Sequence, residues 1–397
     1  MDYPPQIRSI SLMVQELCES LVEMGHDVTV LTSFPRENIS EEDAKKTYHE
    51  LSMESGVRVV RVKTPRAQKG SYVLRGLKQM MLPSLFIQAL KRHVPGDIGA
   101  VVVYSPKLPL VKVGNYIKRQ YGARYVLNIQ DLFPQAAIDL GILKNYHVIR
   151  FFERMEENAY ASADAITTCT RGARKFLIDE KDLPAEKVTL VPNWIDVEPY
   201  LGAPKRDFRH EWELGDDTVF VFPGNFGPSQ GLDFVVELAA RVKDLTRVKF
   251  LFVGDGSERA HLEMQASDLG ASNVIFKPFV SPTEYPDLLK ACDVGLLVLK
   301  ADCKTPAVPG KFFSFLAASL PVVGLLNPES EGHELIRESQ SGYALVPDDL
   351  SKAEQLIRQI VSNQDAFKRK GELGHRYVKE HFGKEVCIRK LEQLVNQ

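Results

Sequence analysis

Lys311 stands directly after Pro309-Gly310 in the segment VPGKFFSFLAASLPVVG, Val308–Gly324. Pro-Gly breaks the chain, so a helix starting here opens with free backbone N–H groups and a lysine beside them. Such an end attracts anions, because the unpaired N–H groups and the helix dipole both favour negative charge. Phe312, Phe315 and Leu316 have the spacing of a buried helix face, and Pro321-Val322-Val323 then leads into a strand. An ordinary helix–strand joint has the same pattern, so the weight rests on other loops in this half of the chain. Pro223–Gly231, PGNFGPSQG, carries Gly224, Asn225, Gly227, Gln230 and Gly231 between a strand and the helix Leu232–Arg241. Its glycines allow tight turns and close backbone approach, which is how a diphosphate is cradled. Gly254-Asp255-Gly256 forms a second loop at the same sheet edge, Phe279-Val280 a third, and Gly310-Lys311 a fourth. Four such loops at the carboxyl ends of one sheet point to a nucleotide site, where any one alone is weak evidence.

In the first half, the segment NIQDLFP, Asn128–Pro134, leaves a strand. Asp131 is its candidate carboxylate for work on an acceptor hydroxyl, with Gln130 beside it; the competing reading makes Asp131 the cap of a helix Pro134–Leu140. No His/Cys/Asp/Glu group has metal-ligand spacing, so no metal is expected. The five cysteines (Cys18, Cys169, Cys292, Cys303, Cys387) are scattered and contain no C-x-x-C pair, as in a reduced cytosolic chain.

These loops need sheets to hold them. Strand-like runs alternate with helical patterns in both halves: Val28–Thr32, Val57–Val62, Ala100–Tyr104, Tyr125–Ile129, Ala165–Thr168 and Val188–Val191, then Val219–Pro223, Phe250–Gly254, Val274–Lys277, Val294–Leu299, Val322–Leu325 and Tyr343–Val346. The alternation predicts an α/β fold of two Rossmann-like domains with parallel sheets, facing across a cleft. The turn-rich PNWIDVEPYLGAPKR marks the boundary. The expected division is 1–197 for acceptor binding, 198–375 for the nucleotide, and a terminal helix, 376–397 within a helical stretch Asp365–Asn396, crossing back to the first domain. One oddity is the start: helix Ser9–Glu23 precedes the first strand, and Asp2–Pro5 reads as the loop that would follow a missing central strand. Either the domain lacks that strand or the true start lies upstream.

With 44% hydrophobic and 26% charged residues the chain has the composition of a soluble globular protein, and no apolar run is long enough to span a bilayer. A secretory leader is not expected from MDYPPQIRS, and the location expected is cytoplasmic. The net charge of −2 conceals an asymmetry. From Ser55 to Gln130 fourteen Lys/Arg (among them Arg66, Lys69, Arg75, Lys78, Lys91, Arg92, Lys112 and Arg119) are interrupted by a single acid, Asp97. Within the tract lies the apolar stretch Tyr72–His93, with Met80, Met81, Leu85 and Phe86. Such a stretch suits an anionic membrane surface, or is a core helix whose lysines face water. Nucleic acid is not expected as a partner, because the pI is slightly acid and no nucleic-acid-binding motif appears.

GHDVTVLTSFP (Gly25–Pro35), IQDLFPQAA (Ile129–Ala137), VPNWID (Val191–Asp196), PGNFGPSQGLD (Pro223–Asp233), VGDGSE (Val253–Glu258) and PGKFFSFLAASLPVV (Pro309–Val323) together resemble the GT-B glycosyltransferases of family 4, in their WbuB-like branch, over nearly all of the chain. The resemblance implies a retaining enzyme that takes a hexose or N-acetylhexosamine from a UDP- or GDP-sugar and needs no cofactor. It further implies a glycan or lipid-diphosphate-linked acceptor of surface polysaccharide assembly, at the inner face of the membrane. The diphosphate would lie on Gly224–Gly231 and Lys311, the base on the backbone near Phe279-Val280, and Asp131 with Gln130 on the acceptor side.

The chain departs from the family pattern at several positions. The family's paired glutamates fall at Pro306 and Ser314, its diphosphate Arg and Lys at Ser229 and Gln230, its acceptor-loop histidine at Gln130, and the glycine after the helix at Ser319. Its N-terminal glycine-rich loop is replaced by Ile7-Arg8-Ser9. Ser314 thus offers a hydroxyl where a carboxylate usually holds donor ribose. Two alternatives follow: a sugar-nucleotide-binding subunit without catalytic acids, and, on thinner support from Asp131 and Asp255, a nucleotide-sugar 2-epimerase.

Overall fold

A computed structural model of the chain describes residues 3–6, 9–36, 39–65, 72–105, 107–139, 143–303 and 308–397; of residues 9, 41, 72–78 and 139 it describes the backbone alone. Ile7, Arg8, Arg66, Lys69 and Pro306 lie outside the described residues, as do the side chains of Arg75 and Lys78. Two compact units divide the chain, Met1–Trp194 with Cys387–Gln397, and Ile195–Val386.

The first unit holds β1 (Thr29–Ser33), β2 (Leu51–Glu54), β3 (Val57–Val62), β4 (Ala100–Ser105), β5 (Arg124–Ile129), β6 (Ala165–Thr168) and β7 (Val188–Leu190). They form two sheets, β1-β3-β2 and β4-β5-β6-β7. All pairs are parallel except β2 with β3. The β2 strand escapes the sequence reading because LSME has no apolar run; it is a half-exposed edge hairpin. A buried Arg61 paired with Glu54 at 2.6 Å helps to hold it. β1 and β4 are both edge strands among the described residues. Val30, Val57 and Val59 nevertheless share one core with Tyr104 and Val126, so the two sheets lie together without a common ladder. Cys387, Ile388 and Leu391 complete that core.

The helix Tyr72–His93 is present, but Phe86 and Leu90 are buried in the core of the first unit and Leu85 packs against it. Of the apolar residues put forward for a membrane, Phe86 and Leu85 are therefore already committed, while Met81 is exposed. The helical stretch expected over Asp365–Asn396 is two helices, Gln364–Phe382 and Lys384–Asn396. The break at Gly383 has a plain cause: the chain leaves the helix so that Ile195 donates to the Phe382 carbonyl and Lys384 donates to the Ile195 carbonyl.

In the second unit β8 (Thr218–Asn225), β9 (Val248–Asp255), β10 (Val274–Lys277), β11 (Val294–Val298), β12 (Val322–Leu325) and β13 (Gly342–Leu345) form one parallel sheet in the order β10-β9-β8-β11-β12-β13. The central strands are continuous apolar runs, as burial on both faces requires. Pro223 sits in central β8 without cost, because the pairing of β8 with β11 ends at Val221 and the missing N–H faces no ladder there. Stacked rings of Phe220 with Phe250 and Phe252 with Phe276 fill one face of the sheet. On the other face the helix Lys311–Ala317 lies so close to β11 that a methyl group at Gly295 would meet the Phe315 ring 2.5 Å away. Close packing at Gly295 fixes the height of Lys311 above the sheet.

Candidate functional site

The register of β8 with β9 sets Gly224 opposite Gly254 and Asn225 opposite Asp255, so two of the glycine loops leave the sheet side by side. A side chain at Gly254 would overlap the Gly224 carbonyl, and φ there is +155°, so this position requires glycine. The two loops are tied by backbone bonds: Phe226 donates to the Asp255 carbonyl and Glu258 donates to the Phe226 carbonyl. Arg259 Nη1 donates to the Gly254 carbonyl at 2.8 Å, a clamp the sequence reading did not single out. Asp255 is exposed and its Oδ1 accepts from the Gly256 N–H at 2.8 Å, so its carboxylate shapes its own loop.

Beyond Asn225, residues Pro228–Gln230 make one 3-10 turn closed by Gly231 in the left-handed region, and the helix Leu232–Arg241 begins there. The Lys300 N–H holds the turn through the Ser229 carbonyl. Gln230 Oε1 is buried without a hydrogen-bond partner. A buried acceptor left unpaired costs about 1–3 kcal/mol, so the loop is built to have a donor brought to it.

Lys311 reaches the same place from across the sheet. Its Nζ lies 3.4 Å from the centroid of the Phe222 ring and 3.5 Å from where a side chain at Gly224 would begin. Phe222, buried in β8, is thus the floor under the lysine, a role hidden in the sequence because Phe222 is one residue of an unbroken apolar run. Among the described residues no carboxylate pairs with Lys311, and burial lowers its pKa from 10.5 to about 7. A desolvated amine over a ring face, beside two glycine loops, is a group whose charge an incoming anion would stabilise.

Ser314 lies one turn along the same helix, and Tyr200 and Tyr285 lie close to its hydroxyl. Burial raises both phenols, so both stay protonated. The hydroxyl that was expected to replace a ribose-binding carboxylate therefore has two phenols for neighbours. Two tyrosines that the sequence reading missed lie beside it; Tyr200 sits inside the turn-rich boundary segment, where nothing in the spacing marks a site residue. Phe279 stands exposed on the third loop at 59% and Val280 packs on the core beneath. Gly310 caps the Lys311 helix with no neighbour within 4 Å of a virtual side chain. Gly224, Asn225, Gly227, Gln230, Gly231, Gly254, Asp255, Gly256, Gly310, Lys311 and Ser314, with Phe279 and Val280, thus belong to one unit, and its register gathers the first two loops and Lys311 directly.

Gln130 and Asp131 belong to the first unit, after β5. Gln130 Nε2 donates to the buried Asn128 Oδ1 at 2.7 Å, which fixes the start of the loop. Asp131 is exposed, and among the described residues its carboxylate caps no helix; the helix that follows is short, Gln135–Asp139. Its backbone carbonyl accepts from the Phe133 N–H, and Phe133 packs edge-on against Phe152. No cluster of three or more His, Cys, Asp or Glu suited to a metal occurs among the described residues.

Comparison with known proteins bears on the family and the fold. Residues 10–194 match the model of the glycosyl transferase 4-like domain and residues 217–363 that of the glycosyl transferases group 1. The chain is 29% identical to the colanic acid biosynthesis glycosyl transferase WcaI of Escherichia coli, over 80% of this chain and 79% of that protein. It is 27% identical to the glycosyltransferase WbjE of Pseudomonas aeruginosa, over 75% and 74%. Among solved structures, HepE of Anabaena in complex with UDP superposes with a TM-score of 0.69 at 14% identity, covering 100% of this chain and 98% of that one. WaaG, a glycosyltransferase involved in lipopolysaccharide biosynthesis, superposes with a TM-score of 0.61 at 13% identity, over 100% and 98%; at these identities the likeness speaks for the fold. With one parallel sheet in the second unit, largely parallel sheets in the first and family models spanning both, the chain belongs to the GT-B glycosyltransferases of family 4.

Proposed function

We propose that this glycosyltransferase is a retaining enzyme that moves a hexose or N-acetylhexosamine from a UDP- or GDP-sugar to a glycan or lipid-diphosphate-linked acceptor in surface polysaccharide assembly, working without a cofactor at the cytoplasmic face of the membrane. The observation that carries the reading is Lys311: a buried lysine with no carboxylate partner among the described residues, beside the paired loops of Gly224 and Gly254. Relatives named for colanic acid and teichuronic acid biosynthesis support the acceptor class, and the UDP in the HepE structure supports the nucleotide.

When the glycosidic bond to the diphosphate breaks, negative charge grows on the leaving oxygen. Lys311 and the loop N–H groups of Gly224–Gly231 stabilise that charge, and they are fixed in place before the reaction starts. Half-buried Gln230 offers its amide to the same phosphates or sugar hydroxyls, and Phe279-Val280 receives the base. Asp131, exposed and free of a capping role, accepts the proton of the acceptor hydroxyl with Gln130 at its side.

Purified protein screened against UDP- and GDP-sugars by thermal shift, followed by transfer assays and NMR of the product anomer, tests each part. Stabilisation by one sugar nucleotide, turnover, and an α-linked product from an α-donor are expected. Donor binding with no turnover toward any acceptor would favour the second reading, a sugar-nucleotide-binding subunit. That reading draws on Ser314, which offers a hydroxyl beside Tyr200 and Tyr285 where the family has a carboxylate.

A further inference from the structure

We infer that Lys300 is a second donor-binding cation, which meets the diphosphate of the nucleotide sugar from the Gly231 end of the glycine loop while Lys311 meets it from the Gly224 end. The inference deepens the donor reading proposed above and rests on it. The loop itself, Pro223–Gly231, holds no lysine or arginine. Its cations come from the chain that follows β11. In the sheet β11 lies beside β8, so the chain leaving β11 at Val298 emerges next to the loop that leaves β8. Leu299 is still buried, and Lys300 is the first exposed residue after the strand.

Backbone bonds pin Lys300 to the loop. Its N–H donates to the Ser229 carbonyl, and its own carbonyl accepts from the Cys303 N–H, both at 3.0 Å. Its stem lies on Gly231: a side chain at that glycine would begin 3.0 Å from the Lys300 Cα, 3.2 Å from its Cβ and 3.3 Å from its Cγ. With φ +63° as well, this position requires glycine for its backbone and for the lysine laid against it. Gly224, at the other end, has φ +127° and the Lys311 Nζ 3.5 Å from where its side chain would begin. Each end of the cradle is thus a positive-φ glycine with a lysine beside it, an arrangement that suits a ligand of two linked phosphates. The Lys300 ammonium is held by Asp302 at 3.1 Å, the two side chains being 54% and 72% exposed. An exposed pair of this kind is weak, and a diphosphate offers more charge and more acceptor oxygens than one carboxylate. The flexible stem lets the ammonium turn from Asp302 to phosphate while the backbone stays bonded to Ser229.

Calorimetric binding of UDP, GDP, uridine and inorganic diphosphate to the full-length protein tests this, with the melting temperature of each variant reporting an intact fold. Lys300→Met keeps a stem over Gly231 and removes the charge. It should weaken UDP and diphosphate about tenfold and leave uridine within about twofold. Lys300→Arg restores a cation and should stay within about threefold of the wild type. Asp302→Asn frees the ammonium and should tighten UDP about twofold, but should change nothing in the Lys300→Met background. Raising salt from ~50 to ~500 mM should weaken UDP less in Lys300→Met than in the wild type, because an exposed cation is screened. UDP affinity unchanged in Lys300→Met would overturn the inference. So would an equal loss of UDP and uridine, which would make the lysine a prop for the loop. Farnesyl diphosphate binding that needs Lys300, beside UDP binding that does not, would give the lysine to a lipid-diphosphate acceptor and also overturn it. A wild type that binds diphosphate through Lys300 but neither UDP nor GDP would count against the proposed nucleotide and leave the cation site standing; a wild type that binds none of these probes would remove both.

Discussion

Lys311 joins the chemistry of this chain to its stability. Burial lowers its pKa from 10.5 to about 7. Below pH 7 it is charged in both folded and unfolded chains, and the full penalty of burying the charge is felt. Between about 7 and 10.5 the unfolded chain holds a proton the folded chain has released, so stability contributed at this site rises with pH through that window. A bound diphosphate reverses the preference by restoring the charge. Donor binding at pH 8 is therefore expected to take up a proton, read by calorimetry in two buffers of different ionisation enthalpy. UDP affinity should fall up to about tenfold per pH unit above 7; pH-independent affinity from 6 to 9 would remove Lys311 from the contact. Lys311→Met should weaken UDP binding by about 1.5–3 kcal/mol while raising the unfolding free energy by about 1–3 kcal/mol, since methionine fills the space over Phe222 without a charge. Ser314→Glu puts a carboxylate beside Tyr200 and Tyr285. If this carboxylate recreates a ribose contact, UDP-sugar affinity rises; if the tyrosines have rebuilt the pocket, affinity falls and the melting temperature drops. An unchanged affinity across every donor would place Ser314 outside the site.

At the scale of elements, the helix Lys311–Ala317 ends at Ala318, and the chain turns through Ser319 with φ +55°. A non-glycine residue in this region costs of order 1–2 kcal/mol, and the position falls where the family has glycine. Ser319→Gly is expected to stabilise the second unit by about 1 kcal/mol, measured by urea denaturation, without changing donor affinity. Destabilisation would show that the serine makes compensating contacts. The same helix shows how little of element geometry is local. Its seven residues are too few to persist alone in water. It exists because Phe312, Phe315 and Leu316 are wholly buried and because β11 offers Gly295 for the Phe315 ring to lie against.

The units are separately built. Two apolar clusters lie wholly in residues 197–378, one on each face of the six-stranded sheet, and two more in the first unit. A fragment spanning Ile195–Val386 is therefore expected to unfold cooperatively on its own and to bind UDP within about fivefold of the full chain, because every donor-side residue lies inside it. A fragment that folds but does not bind would assign part of the donor contact to the first unit.

Periodicity alone determined most of the architecture. Twelve strand-like runs are visible because strands buried on both faces must be continuously apolar, and all twelve are strands here. The glycine loops were equally legible, since Gly254 tolerates no side chain where β8 and β9 run together. What the sequence did not disclose depends on contacts between segments far apart. The half-exposed β2 is a strand only because β3 is there to pair with it. Gly383 breaks the last helical stretch because Ile195, nearly two hundred residues earlier, takes its backbone bonds. Tertiary packing alone decided the surroundings of the two key side chains: Lys311 loses its water to the Phe222 ring, and Ser314 takes two tyrosines for neighbours. Residue type says which charges and hydroxyls are available; desolvation and partner choice, which set what those groups do, exist only once the chain is folded.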